Sequence, residues 1–224
     1  MKPGWHVLGS LALLGLGWFL APKLGRRLAF FDVRNVEVVG ARFVPMSTIV
    51  GALKLPASAS IFDPVGPVAS RVRKLPGIRA VEISRRLPGT LVVRVTEVVP
   101  VALATTKDGL RMVDGRGRVL PFDPLNTAPD LPVMPAPDSM VARLLGRVRD
   151  IDPAFYAKVD AAYASQGDVV LRMQDHRIWL RGDAGPAELR AIRLVEQDLA
   201  RRGKPYAELD GRFADQVVVR WSAA

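Results

Sequence analysis

Residues 31–99 decide the fold and read FDVRNVEVVGARFVPMSTIVGALKLPASASIFDPVGPVASRVRKLPGIRAVEISRRLPGTLVVRVTEVV. Their first part, 31–39, favours a strand because β-branched side chains recur until the stop at Gly40. The next segment, 45–53, has apolar residues at the i, i+3, i+4 and i+7 spacing of one helix face, namely Met46, Ile49, Val50 and Leu53. The stretch therefore begins with a strand followed by a short helix.

A second helix is predicted after residue 63, with Asp63 as its cap and Pro64 as its first residue. Its apolar stripe comprises Val65, Val68, Ala69, Val72 and Leu75, and it ends at Pro76-Gly77. Apolar and polar residues then alternate over 81–84 and 91–96 on either side of a turn at Pro88-Gly89, which predicts a strand hairpin. The predicted order is β-α-α-β-β, with two helices on one face of a three-stranded sheet.

Residues 100–221 are interpreted as a second, mixed α/β domain. A hairpin is expected at 110–120, and alternating apolar residues over 169–173 and 178–180 predict a further strand pair. Helical spacing marks three segments, carried by Met140, Leu144, Leu145 and Val148, by Phe155, Val159 and Tyr163, and by Leu189, Ile192, Val195 and Leu199. The last strand is predicted at 216–221, with Val217, Val219 and Trp221 on one face and Gln216, Val218 and Arg220 on the other.

The composition argues against most enzyme classes. The chain has 224 residues, 32 Lys and Arg against 22 Asp and Glu, and a formal charge of +10. It has no cysteine, which excludes disulfides, cysteine zinc sites and thiol catalysis. With His6 and His176 as its two histidines, the chain can supply few members of a histidine metal cage or a Ser/His/Asp triad. The 49% of hydrophobic residues is too high for a disordered chain.

A search for chemical motifs finds no constellation that supports a reaction. The glycines of Gly115-Arg116-Gly117 suit a hairpin turn, and His176 falls in a predicted turn where it is expected to be exposed. Glu208 and Asp210 share one face of a short strand at period two, so ordinary solvation is expected for both. The arginines are scattered without interleaved aromatic residues, which argues against nucleic-acid binding. The sequence therefore predicts no catalytic residue, cofactor, metal or small-molecule substrate.

The amino-terminal segment 5–21, WHVLGSLALLGLGWFLA, is predicted to be a transmembrane helix. Its 17 residues span about 26 Å as a helix, slightly under the bilayer core. A cleaved signal peptide is the main alternative, although no clear cleavage site follows. The expected organisation is a short tail at 1–4, the membrane helix at 5–21 and a juxtamembrane linker at 22–30. The two domains then occupy 31–99 and 100–221, and a tail follows at 222–224.

Local charge alone predicts that the large carboxyl-terminal part stays in the cytoplasm. Lys2 and the α-amino group lie on one side of the apolar segment, against Lys23, Arg26 and Arg27 on the other. The bias is weak.

The residues that specify the first domain resemble a POTRA domain of the FtsQ/DivIB family of bacterial cell-division proteins. The resemblance lies in the V-x-V-x-G run, in IFDPV before the second helix, and in LPGIRAVEISRRLPGTLVVRVTEVVPVA. It continues in LRMVDGRGRVL at 110–120, which is similar to the short hairpin of that family, and in YAELDGRFADQVVVRW at 206–221, which is similar to its closing strands. The combination of a single anchor, a POTRA unit and a β-rich domain covers nearly the whole chain.

The resemblance implies a single transmembrane helix followed by α+β domains, the POTRA domain and an FtsQ-type β domain that ends in edge strands. It further implies a non-catalytic inner-membrane scaffold at the division septum, with its amino terminus in the cytoplasm and both domains in the periplasm. The implied partners are FtsB- and FtsL-like bitopic proteins, with FtsK-, FtsW- and FtsI-like proteins as further candidates. Two alternatives stay open: a membrane-anchored POTRA protein of secretion or envelope assembly, and a membrane-bound enzyme of unknown chemistry.

The predicted binding site is the last strand with the loop before it. A strand at a sheet edge offers unpaired backbone groups to an extended partner segment. By resemblance, the partner-binding residues are Phe213, Asp215, Gln216, Val217, Val218, Val219 and Trp221. Phe213 and Trp221 match family aromatic positions, whereas Gly211 departs from the family pattern. The alternative for Trp221 is simple packing on the core.

Overall fold

The computed structural model of the protein describes residues 29–127 and 130–221. The chain divides into two compact units, Met1–Glu97 and Val98–Ala224. Within the described ranges, no helix combines the length and the apolar character needed to cross a membrane. The predicted membrane segment 5–21 and the tails at 1–4 and 222–224 lie outside these ranges.

The first unit has the predicted order β-α-α-β-β. It consists of β1 (Asn35–Val39), α1 (Met46–Leu53), α2 (Val65–Arg73), β2 (Ile78–Arg86) and β3 (Thr90–Glu97), after a 3-10 turn at Ala29–Phe31. The sheet order is β1-β3-β2, with β1 parallel and β2 antiparallel to the central β3. The strand that ends the unit in sequence therefore lies at the centre of its sheet.

The two helices of the first unit bury narrower stripes than the sequence predicts. In α1, Ile49 and Leu53 are buried, whereas Met46 and Val50 are 57% and 41% exposed. In α2 the buried residues are Val68 and Val72. A helix of two turns covers a small sheet with one line of fully buried side chains, so the flanking positions of its stripe are only partly buried or exposed.

The prediction that Asp63 caps the second helix is wrong. The helix begins at Val65, and its N-cap is Pro64, which has no side-chain oxygen to cap with. The carboxylate of Asp63 instead accepts a 2.8 Å hydrogen bond from the backbone N–H of Ser60. The carboxylate is thus engaged by the turn that precedes the helix.

A buried carboxylate joins the end of β3 to the loop between β1 and α1. Glu97 is 7% exposed, and its two oxygens accept hydrogen bonds from the backbone N–H groups of Arg42, Phe43 and Val44 at 3.0, 2.8 and 2.8 Å. An ionised carboxylate in such a position needs these donors, because an unpaired buried charge is costly. The loop is therefore held by the last residue of the first unit.

The second unit is a mixed α/β domain built on an eight-stranded sheet. Its strands are β4 (Pro100–Thr106), β5 (Gly109–Asp114), β6 (Val133–Met134), β7 (Ala161–Ser165), β8 (Asp168–Arg172), β9 (Arg177–Leu180), β10 (Tyr206–Asp210) and β11 (Val218–Trp221). Its helices are α3 (Pro124–Thr127), α4 (Ser139–Ile151), α5 (Pro153–Tyr156) and α6 (Pro186–Arg201). The order across the sheet is β11-β10-β9-β8-β7-β6-β4-β5.

The core of the second unit forms between this sheet and its helices. Asp138 caps α4 by accepting hydrogen bonds from the N–H groups of Met140 and Val141. The helix then buries Val141, Ala142, Leu144, Leu145 and Val148. In α6 the buried residues are Leu189, Ile192 and Leu199. The predicted apolar spacing of these two helices is confirmed, with Met140 and Val195 partly buried at the core boundary.

One local prediction for the second unit is wrong. Tyr163 lies in β7 opposite Val170, not in a helix, because the chain is already strand-paired at Asp160, whose N–H donates to the carbonyl of Arg172.

The short hairpin expected at 110–120 is confirmed. An antiparallel bridge joins Val113 to Val119, and the N–H groups of Asp114 and Leu120 donate to the carbonyls of Arg118 and Met112 across the turn. On its other edge, β5 pairs with the preceding β4 over a longer stretch.

Candidate partner-binding site at the edge strand

The last strand, β11, lies at one end of the eight-stranded order, and β5 lies at the other. Among the described residues, β11 pairs with β10 alone, antiparallel, with Leu209 opposite Val219 and Asp210 opposite Val218. β10 has β9 on its other side, in parallel. The predicted edge position of the last strand is confirmed, so one edge of β11 presents backbone N–H and C=O groups that an extended segment can pair with.

The strand is shorter than predicted, beginning at Val218 rather than at Gln216. Asp215 has a φ of 59°, in the left-handed region, and it forms a turn with Ala214. This turn delays the extended conformation by two residues. Phe213, Asp215 and Gln216 are therefore exposed loop residues rather than strand residues.

One face of β11 packs inward. Val217 and Val219 are partly buried and contact the core of the second unit, in which Leu209 is fully buried. Val218 points to the opposite face and is 40% exposed. The strand is thus attached to the domain by its valines.

Trp221 is mainly in solvent. It is 55% exposed and lies opposite Tyr206 in the strand register. The Nζ atom of Lys204 is 5.8 Å from the centroid of its ring, within the range of a cation–π contact. This exposure does not fit the alternative in which Trp221 simply packs on the core.

The expectation that Glu208 and Asp210 are solvated is wrong. They are 3% and 1% exposed, on the face of β10 opposite to Leu209. Arginines cover them: Arg220 Nη1 is 2.7 Å from Glu208 Oε1, and Arg177 Nη2 is 3.3 Å from Glu208 Oε2. Period two places both acids on one face, but arginines from the neighbouring strands exclude the water.

Arg212 clamps the second of these acids. Its Nη2 is 2.6 Å from Asp210 Oδ2, its Nε donates to Asp210 Oδ1 at 2.8 Å, and its Nη1 is 3.1 Å from Asp168 Oδ2. The same guanidinium lies over the ring of Trp179, 4.5 Å from its centroid. The hydrogen bonds from Arg212 hold the pKa of Asp210 below its usual value, although burial opposes them. The clamp fixes the start of the loop that leads into β11.

Gly211, which departs from the family pattern, sits where a side chain has no room. A Cβ atom there would lie 2.9 Å from Cδ1 of Ile192 in α6. Its N–H donates to the carbonyl of Trp179 at 2.9 Å. The glycine therefore lets β10 pass close under α6.

A polar cluster lies beside the start of β10. His176 was expected to be exposed without a role, but its side chain is 19% exposed and its Nε2 lies 3.0 Å from the hydroxyl of Tyr206 and 3.4 Å from Oε1 of Glu196. Burial raises the pKa of Glu196, but hydrogen bonds from His176 and Arg193 outweigh it, and the net pKa shift is downward. The cluster lines an open cleft of about 680 Å³ together with Lys204.

No group of three or more potential metal ligands occurs in residues 29–127 and 130–221. The buried carboxylates of the site are engaged by arginines, and Glu196 is engaged by His176 and Arg193. These contacts connect β9, β10 and β11 to one another and, through His176 just before β9, to α6.

The structure places all seven predicted site residues along one continuous segment of the domain surface. Phe213, Asp215, Gln216, Val218 and Trp221 are exposed, and Val217 and Val219 are partly buried. Sequence reasoning missed Arg212, Arg220 and Lys204, which surround this segment. Arg220 could have been predicted, because a basic residue opposite an acidic one in adjacent strands, here Glu208, forms a stabilising cross-strand pair.

The sequence is similar to those of known proteins. Residues 31–97 match the family model of the POTRA domain, FtsQ-type. The chain is 27% identical over 245 aligned residues to a cell division protein FtsQ of Rhodothermus marinus, which covers 95% of this chain and 84% of that protein. The chain is thus similar to proteins named cell division protein FtsQ over most of its length. The resemblance seen in the sequence is confirmed.

Two further FtsQ proteins show how far the similarity extends. The Thioalkalivibrio protein is 25% identical over 98% of this chain and 94% of its own length. The Zymomonas mobilis protein is 30% identical over 70% of this chain, but the alignment covers 52% of its own length. The FtsQ-type POTRA match ends at the same residue as the first structural unit, Glu97.

Proposed function

We propose that this chain is a non-catalytic, membrane-anchored scaffold of the bacterial division machinery that acts during septum formation. The observation that carries the proposal is the similarity to proteins named cell division protein FtsQ over 95% and 98% of the chain. The FtsQ-type POTRA match at residues 31–97 supports the same conclusion independently of the second unit.

In this proposal, partners bind through β11 and the loop before it. An extended segment of an FtsB- or FtsL-like bitopic protein adds to the outer edge of β11 and continues the sheet. Main-chain hydrogen bonds supply affinity in this mode of recognition, and side chains at the strand supply specificity. Phe213, Val218 and Trp221 offer exposed apolar contacts, and Asp215 and Gln216 offer polar ones. FtsK-, FtsW- and FtsI-like proteins are candidates for the other surfaces.

The proposed location is the inner membrane at the septum, with residues 5–21 as a single membrane-spanning helix. The amino terminus is placed in the cytoplasm and both folded units in the periplasm. The apolar run of residues 5–21 and the FtsQ relatives support this arrangement. The local Lys and Arg count favours the opposite orientation.

Depletion of the chain in its own host tests the function. Cells that lose a divisome scaffold should elongate without forming septa, and a plasmid copy of the whole chain should restore division. A fluorescent fusion should concentrate at midcell. Normal septation after depletion, or an even distribution of the fusion around the envelope, would contradict the proposal.

A further inference from the structure

One end of the first unit exposes apolar side chains that its core does not use. Phe30 and Leu87 are both 62% exposed. The rings of Phe30 and Phe31 are 5.1 Å apart between centroids in an edge-on arrangement, and Phe31 and Phe62 repeat this spacing. Phe31 and Phe62 are partly buried. The exposed ring of Phe30 therefore packs against Phe31, which in turn contacts Phe62.

Backbone hydrogen bonds join the segments that carry these side chains into one surface. The N–H of Ile61 donates to the carbonyl of Phe31 at 2.9 Å, which ties the 59–63 loop to the first described residues. The N–H of Arg34 donates to the carbonyl of Gly89 at 2.8 Å, which ties the turn after Leu87 to the same segment. We call this surface, made by Phe30, Phe31, Phe62 and Leu87, the aromatic end.

Arginines border the aromatic end. Arg34 donates to the carbonyl of Phe30 and lies over its ring at 5.8 Å, and Arg85 donates to the carbonyls of Ile61 and Asp63 at 2.6 and 3.0 Å. Acids also lie nearby, namely Asp32, Asp63 and Glu37, and Glu37 forms a 2.8 Å ion pair with Arg86. The folded part of the surface is therefore close to neutral, and the excess positive charge comes from Lys23, Arg26 and Arg27 in the linker.

The linker is too short to hold this end far from a membrane. Seven residues, 22–28, separate the predicted membrane segment from Ala29. Fully extended, they reach about 25 Å, and less in any folded conformation. If residues 5–21 span the bilayer, Ala29 lies within about 25 Å of its surface, so the aromatic end, which begins at residue 30, is within reach of the bilayer interface.

We propose that the aromatic end is a lipid-docking surface that lays the first unit on the bilayer. Phe30 and Leu87 enter the interfacial region, where aromatic rings and apolar side chains are favoured. Arg34 and Arg85, at the border of this surface, contact the phosphate groups of anionic lipids. The inference rests on the proposed membrane anchor at residues 5–21.

The absence of cysteine from the chain allows a direct measurement of depth. Single variants Leu87→Cys and Phe30→Cys are made in the full chain, labelled with a nitroxide and reconstituted into vesicles of phosphatidylglycerol and phosphatidylethanolamine. The matched control is Ala80→Cys, an exposed position about 23 Å from Leu87 along the direction of β2. Collisions of each label with oxygen, which partitions into lipid, are compared with collisions with a water-soluble nickel chelate.

The expected result is a several-fold higher ratio of oxygen to nickel collisions at positions 30 and 87 than at position 80. Phe30→Ser, added to the Leu87→Cys chain, should move the label at position 87 toward water without lowering the melting temperature. Flotation of the chain with the vesicles is measured in parallel. If the chain floats but position 87 is as accessible to nickel as position 80, the docking surface is overturned while the anchor stands. If the chain does not float, the anchor is refuted and the docking surface with it.

Discussion

Asp210 ends β10 with its carboxylate buried, and Arg212 holds both of its oxygens at 2.6 and 2.8 Å. Replacing Arg212 by Met should lower the free energy of unfolding by about 3 kcal/mol, because it leaves a buried charge without its main partner. Arg177→Met is the matched control. Arg177 is 52% exposed, and Arg220 still pairs with Glu208 without it, so about 1 kcal/mol or less is expected. The free energies of unfolding are measured by urea denaturation. Equal losses in Arg212→Met and Arg177→Met would contradict the role of Arg212 in stabilising the buried Asp210.

The lowered pKa of Asp210 gives the second unit a predictable acid sensitivity. A carboxyl whose pKa is depressed by folding adds stability above its unfolded pKa of about 4, and the contribution disappears as the pH falls through the lower folded pKa. Asp210→Asn should therefore be less stable than the wild type at neutral pH and lose less further stability on acidification. Asp215→Asn, in the exposed loop, serves as the control. If the free energies of unfolding of the wild type and of Asp210→Asn fall in parallel as the pH decreases, the ionised carboxylate of Asp210 does not contribute this stability.

Trp221 tests whether the edge strand binds by its side chains. Because the residue is 55% exposed, Trp221→Ala should cost about 1 kcal/mol of stability or less. As a contact of the partner, it should cost roughly 2 kcal/mol or more of binding free energy. Leu209→Ala, at a fully buried position, should instead cost about 2–5 kcal/mol of stability. Thermal melts and partner titrations of the same variants separate the two roles. A large loss of stability in Trp221→Ala would show that Trp221 serves to pack on the core.

The sequence alone predicts that Glu208 and Asp210 share a face of the strand, but it does not predict which residues surround them. Period two put Glu208 and Asp210 on one face, which is correct. Whether that face meets solvent depends on Arg177, Arg212 and Arg220, which lie at separate places in the chain and come together only in the folded sheet. The same reason explains His176, whose partners Tyr206 and Glu196 lie 20 or more residues away in sequence.

Proline replacement tests β11 as a backbone template. In an antiparallel strand the N–H groups of successive residues point to opposite edges, so Val218→Pro and Val219→Pro remove donors from different edges. The variant that removes a bond to β10 should melt at a lower temperature. The other should keep its melting temperature and lose the partner. If the proline variant that folds normally still binds the FtsB-like partner like the wild type, strand addition at β11 is wrong.

The elements of the first unit could be predicted almost completely, because its pattern is local: a strand, two amphipathic helices and a hairpin in direct succession. The second unit was harder for a physical reason. Strand β6 has two residues, Val133 and Met134, and no periodicity can mark so short an element. Tyr163 followed helical spacing from Phe155 and Val159, but pairing with β8 prevailed over that local preference.

At the scale of the whole molecule, the topology is open to a direct test. An alkaline phosphatase fusion after Ala224 should be active and a green fluorescent protein fusion at the same place should be dark, because we propose that both folded units lie in the periplasm. The reverse pair of results would show that the Lys and Arg count around residues 5–21 governs the orientation. The sequence alone could not decide between the two, since its charge bias and its family resemblance point to opposite sides.

In-cell photocrosslinking shows directly whether partners add to the β11 edge. A benzophenone amino acid is placed at Val218 in the full chain, and the matched control is Leu110 in β5, which lies at the opposite edge of the same sheet and is similarly exposed at 47%. We expect an adduct with an FtsB- or FtsL-like protein from position 218 and none from position 110. An adduct from position 110 with none from position 218 would contradict it.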